Sequence, residues 1–325
     1  MTVATGVGSL PGTDYAEAVK LVLGELPDLP HVPELPARGA IASMVGRTLA
    51  LLPLDADLQP AGWRLTGSAG SPAIDQRRAR SLLAQDLDVV EETADGYGGV
   101  FKLQVTGPFT LAATVERPRG DKLLADHGAR RELAQALAEG LSDHVKDVRR
   151  RVAATRLIVQ LDEPALSAVL AGRVPTASGY GRHRSVDLPE ASDLLRTVID
   201  AVDGEVWVHS CAPDTPLGLL RGAGATGLSV DLAMLKAKDH DDLAEALEAG
   251  ASVALGVVPT LEPARRETDK EVTERVLRWF DLLGLDPERA GEQLVLTPAC
   301  GLAGTSGGYA KAALALVRTS AASLG

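Results

Sequence analysis

The feature that most constrains this chain is an alternation. Eight apolar, strand-like runs are separated by segments of helical periodicity. The runs are TGVGSLP (5–11), LPHVPELP (29–36), VFKLQVTGP (100–108), LIVQLDEP (157–164), EVWVHSC (205–211), GLSVDL (227–232), SVALGVV (252–258) and LVLTPACG (294–301). Between them lie patterns such as ARRELAQALAEGLSDHVKDVRRRV (129–152) and DDLAEALEAG (241–250), the second closed by Gly250. Strands alternating with helices pair in parallel, and eight of them predict a single α/β domain over residues 1–325, a (β/α)₈ TIM barrel. The gap from 36 to 100 is too long for one βα unit. It carries the Pro/Gly-rich stretch LLPLDADLQPAGWRLTGSAGSP (51–72), expected to be an excursion over the barrel top after the second strand.

Composition enters where it excludes partners. A formal charge of −11 argues against nucleic acid or an anionic membrane. No apolar run approaches the roughly 18 residues of a membrane helix, and the opening MTVATGVGSL lacks the basic and apolar segments of a signal peptide. Two cysteines far apart do not make a secreted disulfide framework, so a cytoplasmic location is expected.

The strands tend to end in residues that do chemistry: Ser9, Glu34, Asp162 beside Glu163, His209 with Cys211, Asp231, and Cys300. In a parallel barrel these ends share one face, where the βα loops build the active site. Polar residues at strand ends are common, and Ser9 or Glu34 alone would mean little. Both cysteines and a histidine at such positions are harder to dismiss. His209 and Cys211, two apart on a strand, project from one side. Imidazole and thiolate are preferred ligands of Zn2+. With Cys300 and the Asp231 carboxylate they make four ligands, of which the weakest can yield a position to substrate. The competing reading is that free cysteine packs as a small hydrophobe.

These segments carry a resemblance. VHSCA (208–212), LSVD (228–231) and TPACGLAG (297–304) resemble the zinc-site segments of the cobalamin-independent methionine synthases. The likeness extends to GSLP (8–11), KLQVTGPFTLAA (102–113) and QLDEPAL (160–166), in the order of that family's catalytic C-terminal barrel. It implies a zinc-dependent methyltransferase that forms methionine from homocysteine. His209, Cys211 and Cys300 match the catalytic zinc ligands, and Asp231 stands where the family has a glutamate ligand. Ser9 and Asp162 match positions that hold the amino-acid end of homocysteine, and Glu34 a substrate-contacting glutamate.

Three departures concern the methyl donor. The large folate-using members carry an additional N-terminal barrel. They also have a tryptophan that stacks on folate, where this chain has Thr114, and a histidine after the seventh strand, absent from GVVPTLEP (256–263). The acceptor half is therefore retained better than the donor half. This points to a methylated corrinoid, such as methylcobalamin or a corrinoid protein, in place of methyltetrahydrofolate. Alternatives from other classes are a metal-free enzyme like the related uroporphyrinogen decarboxylases, for which Arg38 and Arg47 could bind tetrapyrrole carboxylates, and a non-catalytic zinc- or thiol-binding protein.

Overall fold

The computed structural model describes residues 2–66 and 73–324, so the last six residues of the Pro/Gly-rich stretch lie outside the described residues. Among the described residues nine strands form: β1 (Val3–Ala4), β2 (Ala56–Gln59), β3 (Gly62–Leu65), β4 (Val100–Thr106), β5 (Arg156–Asp162), β6 (Glu205–Ser210), β7 (Gly227–Asp231), β8 (Ser252–Val258) and β9 (Leu294–Pro298). Seven make one parallel sheet in the order β1-β9-β8-β7-β6-β5-β4. Strands β4 to β9 match the last six expected runs to within three residues.

The first two expected strands are not regular, and this corrects the count of eight. In the 29–36 run, Pro30 and Pro33 have no N–H to donate, so a continuous ladder cannot form. What remains are single bridges. Val32 N–H donates to the Lys102 carbonyl (3.0 Å) and Lys102 N–H to that of Pro30 (2.9 Å). On the other side Glu34 N–H donates to Gly8 O (3.1 Å) and Leu10 N–H to Glu34 O (2.8 Å). The segment thus bonds both to edge strand β4 and to the chain just beyond edge strand β1. Residues 5–11 are likewise mostly irregular. A Cβ at Gly6 would lie 2.3 Å from the His31 ring, and one at Gly8 2.8 Å from the Gln104 side chain. These glycines let side chains from neighbouring segments cross the backbone.

Helices cover the sheet as the periodicity predicts. His127–Arg151 spans the expected 129–152 segment, and the helix Ala237–Glu248 ends before Gly250, whose φ of +81° suits a residue without a Cβ. Asp14, Asp126, Asp187 and Thr268 each cap a helix N-terminus by accepting a backbone N–H. The triple arginine of 149–151 forms ion pairs with Asp203, Asp147, Asp88 and Glu91. Leu29, Ile158, Trp207, Ala254 and Val295 form a buried cluster separate from the larger core between sheet and helices.

The excursion is more ordered than its composition implies. Helix Met44–Leu49, the antiparallel hairpin β2–β3 and the long helix Ile74–Thr93 follow one another. The hairpin attaches to Glu116, just past helix Pro108–Thr114, through Leu65 N–H to Glu116 O and Glu116 N–H to Trp63 O, both 2.9 Å.

Candidate metal and substrate site

Sheet register aligns the first row of the site. Thr106 pairs with Asp162, Asp162 with His209, and His209 with Ser229, on four neighbouring strands. His209 is buried, and its Nδ1 lies 2.9 Å from Ser229 Oγ. That bond leaves Nε2 facing the cysteines, 3.8 Å from Cys300 Sγ. Cys211 follows β6 and Cys300 follows β9, and one ligand atom from each of His209, Cys211 and Cys300 lies within 4.8 Å of the others. Bonds of about 2.3 Å to sulfur and 2.0 Å to nitrogen hold such atoms roughly 3.6 Å apart around tetrahedral zinc. The donor set and its spacing therefore fit that ion.

The two thiols influence one another in opposite directions. The neighbouring Cys211, helped by His209, draws the Cys300 thiol below its ordinary value. The same partnership, with burial, pushes Cys211 far up.

Ser9, Glu34, Asp162, His209, Cys211 and Cys300 all line one cavity of about 200 Å³. This lies below the roughly 300–1,000 Å³ typical of drug-sized ligands and suits a smaller one. Burial raises Asp162 to about 6, opposed by His209, by a 2.7 Å bond from Gln160 Nε2 and by Lys102. Burial also raises Glu34 to about 7 against the pull of Arg47, whose Nε is 3.8 Å away. Gly301 packs on Ser9 so closely that a Cβ there would lie 2.1 Å from the hydroxyl.

Asp231 stands apart from this group. Its Oδ1 accepts the Ala233 N–H at 2.9 Å, and it lines a neighbouring cavity instead. It is still close enough for Cys300 and His209 to affect its charge. Glu163, next to Asp162, turns away and accepts the Phe109 and Thr110 N–H groups and the Thr110 hydroxyl at the start of helix Pro108–Thr114. Arg38 and Arg47 both bind Asp86, so neither stands ready for a tetrapyrrole carboxylate.

Several contributors escape a reading of the sequence. Ser229 orients the histidine but sits inside an apolar run. Ser43 and Met44, from the excursion, line the cavity wall. Lys102 and Gln160 lie beneath it, wholly buried. Only Gln160 carries a signal, since it precedes Asp162 by two on the same strand.

Fold and site together define an α/β protein with a histidine–dicysteine centre at the C-terminal ends of a parallel sheet. The family model described as the cobalamin-independent synthase catalytic domain matches residues 93–323. The chain belongs to that family and is a methyltransferase. No curated protein matches it. Among solved structures it resembles a B12-independent methionine synthase from Shewanella sp. W3-18-1, in complex with selenomethionine. That likeness has a TM-score of 0.67 at 14% identity and covers 100% of this chain and 98% of the other. Among the described residues no helix is long and apolar enough to cross a membrane.

Proposed function

We propose that the protein transfers a methyl group to the thiol of homocysteine, forming methionine, at a zinc centre held by His209, Cys211 and Cys300. The observation that carries this reading is the convergence of those three ligands with Ser9, Glu34 and Asp162 on one small cavity. Family membership supports the acceptor. A bound zinc ion would supply the Lewis acidity that keeps a thiol, ordinarily of pKa about 8.5, as the nucleophilic thiolate.

The remaining work belongs to the chain. Asp162 accepts the substrate ammonium with the oxygen that Gln160 leaves free. The Gly8–Ser9 turn receives the carboxylate, and Glu34 borders the same space. Fixing the amino-acid end at two points aims the sulfur for in-line attack. Asp231, with Oδ1 held by the Ala233 N–H, borders the centre without joining it, which suits a ligand that yields its place to substrate.

Two donors compete. The family description favours one other than cobalamin. The solved relative, titled B12-independent, is matched over 98% of its length by this chain. What favours a methylated corrinoid is local: Thr114 in place of the folate-stacking tryptophan, and no histidine in 256–263. A corrinoid leaving group needs no proton, so we take it as the donor. The test is to incubate zinc-loaded protein and homocysteine with methylcobalamin or with methyltetrahydrofolate and measure methionine. Formation from methylcobalamin alone is expected. Formation from the folate alone would overturn the donor, and none from either would overturn the reaction.

A further inference from the structure

Beneath the cavity lies a polar layer that the chemistry above does not use. Lys102, on β4, is fully buried. Its Nζ donates to the Val7 carbonyl at 3.0 Å and to Gln160 Oε1 at 2.9 Å. Gln160, on β5, donates its Nε2 to the same Val7 carbonyl at 3.0 Å and to Asp162 Oδ1 at 2.7 Å. Packing does not account for this lysine. Taking an ammonium out of water is costly, and an apolar chain of similar volume would fill the space without that cost.

We propose that Lys102 is a positioning residue which, through Gln160, fixes the Asp162 carboxylate relative to the Val7–Ser9 turn and so selects thiols that carry an α-amino-acid group. This rests on the functional reading above. A glutamine amide has an accepting end and a donating end, and a partner that only donates decides between them. With Lys102 holding Oε1, the NH₂ group must face Asp162 and Val7. Because Val7 O accepts from both side chains, the turn and the carboxylate hang from one pair of groups. Those are the two points that grip the amino-acid end of the substrate. Gln104 supports the turn from the other side: it packs against Gly8 and donates to Val32 O at 2.7 Å.

The test compares two thiols on zinc-loaded protein: homocysteine, and 4-mercaptobutanoate, which has the same thiol and carboxylate but no amino group. Lys102→Met frees the amide to turn. Gln160→Glu keeps the acceptor for Lys102 and removes the donor to Asp162, so it serves if the first variant fails to fold. Each should weaken homocysteine binding by about tenfold or more, the scale of a hydrogen bond to a charged group. Zinc content should be unchanged, and 4-mercaptobutanoate, which meets only the turn, should weaken by less than homocysteine does. KM for homocysteine should rise while kcat at saturation falls less than about threefold, the pattern of lost binding and not lost chemistry. Equal weakening of both thiols, or unchanged homocysteine binding, overturns the role of Lys102. If the unsubstituted protein itself binds both thiols equally, the assignment of Asp162 fails first and this inference fails with it.

Discussion

The two sides of the site are built differently. On the side we assign to the acceptor, Asp162, His209 and Ser229 sit on adjacent strands, Cys211 follows β6 and Cys300 follows β9, and the His209 ring meets both Ser229 and Cys300. On the side we assign to the donor, Thr114 ends a short helix, exposed, and its hydroxyl bonds to the Thr110 carbonyl of its own helix. Beyond β8, Glu262 pairs with Arg266, Arg265 with Glu271, and Glu267 with Arg275, while Leu261 projects to solvent. A wider cavity of about 480 Å³ opens there, lined by Asp231, residues 257–261, Glu267 and Arg275. Register holds the acceptor groups in place, whereas loops carry the donor groups, and loops tolerate change that a shared ladder does not. A chain can therefore keep the nucleophile's half of a reaction while the other half drifts.

The sharpest way to break this contrast is at the metal ligands. Cys211→Ser or Cys300→Ser should abolish stoichiometric zinc by elemental analysis and with it methionine formation. The loss of metal affinity should exceed the roughly 10–100-fold typical of removing an outer-shell partner. The far-UV spectrum should stay near that of the parent, because neither cysteine is fully buried. A variant that keeps its zinc and its activity would end the case for the centre.

Next in size is Asp162→Asn. Removing the charge should cost about 1.5–3 kcal/mol of homocysteine binding, roughly 10- to 150-fold in Kd. Zinc content should not change. Titration with homocysteine checks it, and an unaltered Kd would move the ammonium site elsewhere.

Ser229→Ala probes the support behind the first row. Without a partner at Nδ1 the His209 ring is free to rotate, and zinc affinity should fall by about 10–100-fold. Chelator competition measures this directly. Affinity equal to the parent's would mean that the ring is held by packing alone.

Legibility follows the same division. Asp162, His209, Cys211 and Cys300 could be found because each ends or follows an apolar run, and parallel strands bring such ends to one face. Ser229 could not, since its contact with His209 depends on which residue of β7 lies level with which residue of β6, a property of neither strand alone. Lys102 is hidden for a similar reason: a lysine inside an apolar run reads as a solvent-facing edge position until its partners across the sheet are known. The irregular first two strands follow from prolines and glycines that were visible. What a single sequence conceals is that isolated bridges through them still link residues 30–34 to segments on both sides. The hairpin of the excursion rests on a pairing with Glu116 about fifty residues further on, and no local signal announces it.

The smallest effect is expected at Thr114, and it separates the two donors. The residue is exposed at a helix end, so Thr114→Trp should change stability by no more than about 0.5 kcal/mol, as for other surface substitutions. An aromatic there would supply the stacking surface that the resemblance implies for folate-using members. It restores no proton donor. A methyl group leaving folate leaves behind an amine that needs a proton, and a positioned acid is typically worth about 10²–10⁴-fold. The variant should therefore form no more methionine from methyltetrahydrofolate than the parent does, and methylcobalamin-dependent turnover should be unaffected. Glu262 is the carboxylate in 256–263 that could supply the proton, but it is exposed and paired with Arg266. Efficient folate turnover by the parent, lost in Glu262→Gln, would identify that residue as the acid and show the donor side to be as complete as the acceptor side.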